Sequence, residues 1–238
     1  MWFGVVTIFP EMFAAVNNYG INKKAIKNNI VHLNLYNPRN YALDKRGTID
    51  DRPYGGGPGM VMKVEPLMQA INHAKQDSRH LNNKPKVVLL SPQGCKIVQR
   101  HLTSFVKLHQ GVIFVCGRYE GIDERLCDLA IDEEWSIGDF ILSGGELVAM
   151  AFIDAMIRLV PGAVGDPNSL LEDSFYDYEE QLLDHQHYTR PECIYNLQVP
   201  EILLSGDHQA IAAWRREQRL IRTKERRKDL LGGNENDN

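Results

Sequence analysis

The chain has 238 residues, 43% hydrophobic and 24% charged, with four cysteines and a net charge of −4. This length supports one large domain or a medium one with an appendage, and no uninterrupted apolar run reaches the ~20 residues that a membrane span needs. Cys95, Cys116, Cys127 and Cys193 form no CxxC pair, so reduced thiols, a cytoplasmic location and no membrane partner are expected.

The first residues, Met1 to Val6, carry no basic leader or small-residue cleavage site; they open a strand over residues 2–9, stopped by Pro10. Val31, Leu33 and Leu35 alternate with His32, Asn34 and Tyr36, a period-two pattern ended by Asn37-Pro38. Residues 39–62 turn polar and then glycine-rich, and read as a loop stiffened by its prolines. Val64, Leu67, Met68 and Ile71 recur at helical spacing. Val87 to Leu90 is the short apolar run of a strand covered on both faces, and Ser91-Pro92-Gln93-Gly94 is expected to turn the chain. Val98, Leu102 and Phe105 mark a helix, Val112 to Cys116 another buried strand, and Ile122 to Ala130 a further helix. From Glu146 to Val160 a helix apolar on nearly every side belongs at the centre of the core. Strands alternating with helices predict an α/β domain with a mainly parallel sheet, its binding loops at the carboxyl ends of the strands.

After Pro161-Gly162 the texture changes. Residues 166–184 hold seven acidic residues and no Lys or Arg. Ser205 or Asp207 can cap a following helix. Residues 1–160 thus read as one domain, 161–176 as a flexible connection, and 177–238 as a small helical domain with a frayed tail from Gly232. Between Trp214 and Lys228 eight basic residues face two acidic ones, a stretch of +6 in a chain of −4. Arg215, Arg216, Arg219 and Arg222 on this stretch read as a polyanion-binding face, or as a solvated helix face.

Two glycine-punctuated loops, Gly117 to Gly121 and Ser136 to Gly145, each follow a strand-like run and lead into a helical pattern. Glycines there let backbone groups approach a ligand. Neither loop matches the dinucleotide or phosphate-loop fingerprint, and no lysine lies beside them to hold a triphosphate. Apolar Ile137, Phe140, Ile141 and Leu142 with a few backbone donors suit an adenine ring. Asp139 or Glu120 would favour a positive charge. S-adenosylmethionine combines both features; two tight turns with no ligand are the alternative. Asp173, in the acidic segment, is a candidate proton acceptor or a solvated surface carboxylate. Arg158, on an otherwise buried helix, needs a partner or a task. His185 and His187 stand two apart, which suits neither a helical pair nor a zinc spacing, so no metal ligand is assigned.

Several of these segments carry a resemblance. Asp51-Arg52-Pro53-Tyr54-Gly55-Gly56-Gly57-Pro58-Gly59-Met60, Leu90-Ser91-Pro92-Gln93-Gly94, Gly117 to Arg125, Asp132 to Leu147 and His187-Tyr188-Thr189-Arg190-Pro191 together resemble the bacterial tRNA (guanine-N1)-methyltransferases, members of the knotted SPOUT methyltransferases. The resemblance runs from Met1 to about Leu231. It implies a trefoil-knotted α/β domain holding S-adenosylmethionine, a homodimer with active sites at the subunit interface, and tRNA as substrate. The methyl group would go to nitrogen 1 of the guanosine 3′ of the anticodon, supporting reading-frame maintenance. By matching position, Asp173 resembles the general base and Arg158 the contact to the guanine carbonyl. Gly117, Glu120, Ile137, Gly138, Asp139, Phe140, Ile141, Leu142, Gly144 and Gly145 match cofactor positions, with Leu89, Leu90, Ser91 and Pro92 at the cofactor's other edge. The resemblance leaves room for Mg2+ without a protein ligand for it. A SPOUT enzyme acting on another nucleoside or on ribose, and a non-catalytic RNA-binding module, are the rival readings.

Overall fold

The computed structural model describes residues 1–166, 168–176 and 180–231. They fall into two compact units, Met1–Gly165 and Asp166–Asn238. The expected frayed tail, 232–238, lies outside the described residues.

In chain order the first unit contains β1 (Trp2–Val6), α1 (Ala14–Asn17), α2 (Gly20–Lys27), β2 (His32–Tyr36), β3 (Asp50–Asp51), β4 (Val61–Met62), α3 (Val64–Asp77), β5 (Lys86–Lys96), α4 (Gln99–Leu108), β6 (Gly111–Cys116), α5 (Arg125–Ala130), β7 (Glu133–Ser136) and α6 (Glu146–Leu159). Strands β2-β1-β6-β5-β7 form one five-stranded sheet in that order, and every pairing in it is parallel. The α/β expectation therefore holds.

Helices cover both faces, which is why the central strands are continuous apolar runs and do not alternate with polar residues. Phe3, Val5, Val88, Leu90, Val112, Phe114 and Trp135 point to one face and pack with α1, α2, α4 and α6. Trp2, Val6, Val87, Leu89, Ile113 and Val115 point to the other and pack with α3 and α5. The edge strand β2 is covered too. Tyr36 is buried, donates to Asp77 Oδ2 on α3 at 2.8 Å, and its hydroxyl is pushed above its ordinary value, by burial first and then by Asp77.

Three local expectations change. Ser91 to Gly94 does not end its strand: β5 runs on to Lys96, and both Leu90 and Cys95 register with Trp135, so the four residues between them bulge out of one strand. The 39–62 loop contains the β3–β4 hairpin. The helix expected from Ile122 starts at Arg125, because Ile122 is held in a bridge with Met62. Helices α1 and α2 add to the expected elements; Val16 and Ala25 anchor them to the core.

The topology also places a crevice. Chain segment β5-α4-β6 crosses one face of the sheet and β6-α5-β7 the other, while β6 and β7 lie on either side of β5. Connections leaving in opposite directions open a gap at the carboxyl end of β5. That is where residues 91–94, 117–121 and 136–145 meet.

The second unit holds α7 (Asn168–Leu171), the antiparallel hairpin β8 (Cys193–Ile194) and β9 (Leu197–Gln198), and α8 (His208–Arg226). Asp207 is the N-cap of α8, its carboxylate accepting from the amides of Gln209 and Ala210. Among the described residues of this unit, Leu182 is the one fully buried apolar side chain. Polar contacts carry much of the rest. Thr223, fully buried on α8, donates to Arg219 O and accepts from Leu183 N.

Candidate active site

The crevice is a cavity of about 490 Å3 at the carboxyl ends of β5, β6 and β7. Its walls come from the β5 bulge, the two glycine loops and the start of α6. Of the residues matched to cofactor positions, Leu89, Leu90, Ser91, Pro92, Gly117, Glu120, Ile137, Gly138, Phe140, Ile141, Leu142, Gly144 and Gly145 all line it. Asp139 does not. Its carboxylate turns to Lys96, accepting from Nζ at 2.7 Å on the exposed rim.

Close approach explains two of the glycines. A Cβ on Gly145 would stand 2.9 Å from Cys116 Cα and 3.2 Å from Leu90 Cβ, and the Gly145 amide donates to Gly117 O at 3.1 Å. The start of α6 is thereby drawn onto the ends of β5 and β6. A Cβ on Gly144 would collide with the Arg118 guanidinium.

Arg118 has no distinguishing mark in the sequence pattern, yet it ties the two loops together. Its Nε donates to Glu146 Oε2 at 2.8 Å, and NH1 donates to Ser143 O at 3.0 Å. Its guanidinium carbon lies 4.7 Å above the Phe9 ring. Glu146 is fully buried and also accepts from Thr7 Oγ1 at 3.0 Å. The one available signal is a charged residue opening an otherwise apolar helix. Trp135, Ser136, Gln93, Glu124 and Glu134 line the cavity as well. Cys116, at the end of β6, is fully buried and outside the lining; burial and then Glu146 push its thiol well up, partly offset by Arg118.

The lining fits a cationic, adenosine-bearing group. Leu89, Ile137 and Leu142 offer apolar surface for a ring, and Glu120, Glu124 and Glu134 supply negative charge. Arg118 is the single Lys or Arg among the described lining residues, and its guanidinium is committed to Glu146 and Ser143. A triphosphate would find no uncommitted Lys or Arg among the described lining residues.

The other predicted residues lie elsewhere. Arg158 sits half-buried on the last turn of α6, outside the cavity lining, where a cation also complements the helix dipole. Asp173 belongs to the second unit, half-buried in the turn after α7, with its amide donating to Leu170 O. On α8, Arg215 pairs with Glu172 at 3.0 Å and Arg216 with Glu180 at 2.6 Å. Arg219 Nε donates to Leu183 O, and Arg222 is half-buried. The acidic segment thus neutralises part of the basic one. Lys224, Arg226, Arg227 and Lys228 are exposed, with Arg227 paired to Asp229.

A doubly covered parallel sheet with a glycine-lined cleft at its switch point defines an α/β domain, and the described lining residues of that cleft include no lysine. The family model for tRNA (Guanine-1)-methyltransferase TrmD matches residues 1–233. A tRNA (guanine-N(1)-)-methyltransferase of Chromohalobacter salexigens is 54% identical over 236 residues, covering 98% of this chain and 87% of that one. Those of Shewanella sediminis and Haemophilus ducreyi are 54% and 51% identical, each covering 97% of this chain and 93% and 91% of their own. The chain belongs to the tRNA (guanine-N1)-methyltransferase family.

Proposed function

We propose that the chain transfers a methyl group from S-adenosylmethionine to nitrogen 1 of the guanosine 3′ of the tRNA anticodon, and so supports reading-frame maintenance. The observation that carries this reading is the cavity at the ends of β5, β6 and β7, whose lining suits a sulfonium-bearing nucleoside and not a nucleotide polyphosphate. When bound, the cofactor supplies the electrophilic methyl group. Everything else falls to the chain. Ring nitrogen 1 of guanine carries a proton and is not nucleophilic until it is lost. The Asp173 carboxylate accepts that proton. The negative charge left on the base spreads to the carbonyl oxygen, where the Arg158 guanidinium stabilises it as it develops.

In the same reading the first unit is a trefoil-knotted cofactor domain. The protein works as a cytoplasmic homodimer, with Arg158 contributed by one subunit and Asp173 by the other. Residues 161–176 connect the cofactor domain to a tRNA-binding region over 177–238. Exposed Lys224, Arg226 and Lys228 on α8 and just beyond it supply tRNA phosphate contacts, beside Arg215, Arg216, Arg219 and Arg222. Mg2+ is assigned no protein ligand, and no step runs through it. Reverse transcription of tRNA treated with enzyme and S-adenosylmethionine tests the proposal, because a methyl group on the pairing edge of guanine blocks the polymerase. The expected result is one stop at the nucleotide 3′ of the anticodon; methylation that leaves read-through intact would point to ribose or another edge.

A further inference from the structure

The second unit gathers a ligand set that the proposed reaction does not use. Asp184, His185 and His187 each place one potential ligand atom within 4.8 Å of the others. The segment is not helical, and alternate residues turn to one side, which brings the two imidazole centroids to 4.5 Å. Sequence spacing judged against helical zinc motifs misses this arrangement. His187 Nε2 lies 2.8 Å from Asp184 Oδ2.

The environment of His185 goes further. Its side chain is 4% exposed, and its Nδ1 lies 3.1 Å from the carbonyl of Gln186. A carbonyl only accepts, so Nδ1 carries the proton and Nε2 presents a lone pair. That Nε2 is buried with no hydrogen-bond partner among the described residues. The group beside it is another acceptor, Glu172 Oε2 at 3.8 Å. A buried lone pair facing a carboxylate is unfavourable unless a proton or a metal cation joins them. An imidazole whose Nδ1–H is held by a carbonyl while Nε2 stays bare has the usual tautomer of a metal-ligating histidine.

We propose that Asp184, His185 and His187 form a site for a transition-metal dication of the zinc type. Two imidazoles and a carboxylate suit such an ion, whereas Mg2+ and Ca2+ prefer oxygen ligands throughout. The half-open His187 side, 66% exposed, is the entry path. Asp184 also ties this site to the turn after α7, because its amide donates to Ser174 Oγ at 2.9 Å, one residue beyond Asp173. A bound ion would brace that turn.

The test is calorimetric titration of the chelator-treated full-length protein with Zn2+, paralleled by Co2+ absorption spectroscopy. One equivalent per chain is expected, with Co2+ giving the visible bands of a nitrogen- and oxygen-ligated ion. His187→Ala, which removes an exposed imidazole and leaves the buried ring in place, and His185→Gln should each weaken Zn2+ binding at least about tenfold. No binding to the wild-type protein, or affinity and spectra that survive both substitutions, would overturn the proposal.

Discussion

Arg118→Ala removes the partner of a fully buried carboxylate. Glu146 has no side-chain exposure and Arg118 17%, so solvent screens the pair little. Breaking a buried pair from one side typically costs about 3–5 kcal/mol, because the remaining charge stays buried. Two features soften that cost: Thr7 Oγ1 still donates to Glu146, and the carboxylate occupies the first turn of α6, where the helix dipole favours it. The lower end, about 3 kcal/mol, is therefore expected, equivalent to a fall in Tm of roughly 6–12 °C. Urea melts of wild type, Arg118→Ala, Glu146→Gln and the double variant measure it. Glu146→Gln removes the charge while keeping the shape, so the double variant should be less destabilised than the sum of the singles by at least about 1 kcal/mol. Without the hydrogen bond to Ser143 O, S-adenosylmethionine binding should also weaken, since the second glycine loop is no longer held to the first. An Arg118→Ala cost below about 1 kcal/mol, or strict additivity, would refute the buried-pair argument.

Asp173→Ala should abolish tRNA methylation while calorimetry still detects cofactor binding; methyl transfer at near wild-type rate would remove Asp173 as the base. Cys116 should resist iodoacetamide at pH 8 while exposed Cys95 and Cys193 are alkylated, as read by peptide mass spectrometry. Because its folded-state value is raised, its contribution to stability is complete below the unfolded thiol value of about 8.5 and is lost as pH rises above it. Cys116→Ala should therefore flatten the alkaline limb of the stability profile, and an unchanged limb would contradict this. Replacing Lys224, Arg226 and Lys228 by glutamine should weaken tRNA binding and lower its log–log salt slope by ~0.7–0.9 for each phosphate no longer neutralised. The same change at Arg215 and Arg216, whose carboxylate partners are already in place, should lower it less. An equal or larger fall there would mean that tRNA displaces Glu172 and Glu180.

The parallel core could be read from the sequence because its strands are doubly buried. Val87 to Leu90 and Val112 to Cys116 have no polar interruption, and only a sheet covered on both sides stabilises such runs. The glycine-lined cleft was equally legible, since glycines that must admit backbone or side chain leave a signature at fixed places. Partnerships across long sequence separations were not legible. Ser91-Pro92-Gln93-Gly94 carries every local mark of a turn, yet β5 resumes beyond it because Cys95 and Lys96 find β7 again. Arg118 and Glu146 stand 28 residues apart, and neither position predicts the other.

Charge is the clearest case. The acidic segment and the basic helix look like two separate surfaces when each is summed along the chain. In the folded unit Arg215 reaches Glu172 across 43 residues and Arg216 reaches Glu180 across 36. Pairing removes those charges from the outward field while leaving the sequence sum unchanged. Among the described residues, the exposed cations outside these two pairs shift the outward charge toward Lys224, Arg226 and Lys228 at the carboxyl end of α8. Cations there also complement the α8 dipole, so in the proposed tRNA-binding role they would act without breaking the pairs to Glu172 and Glu180.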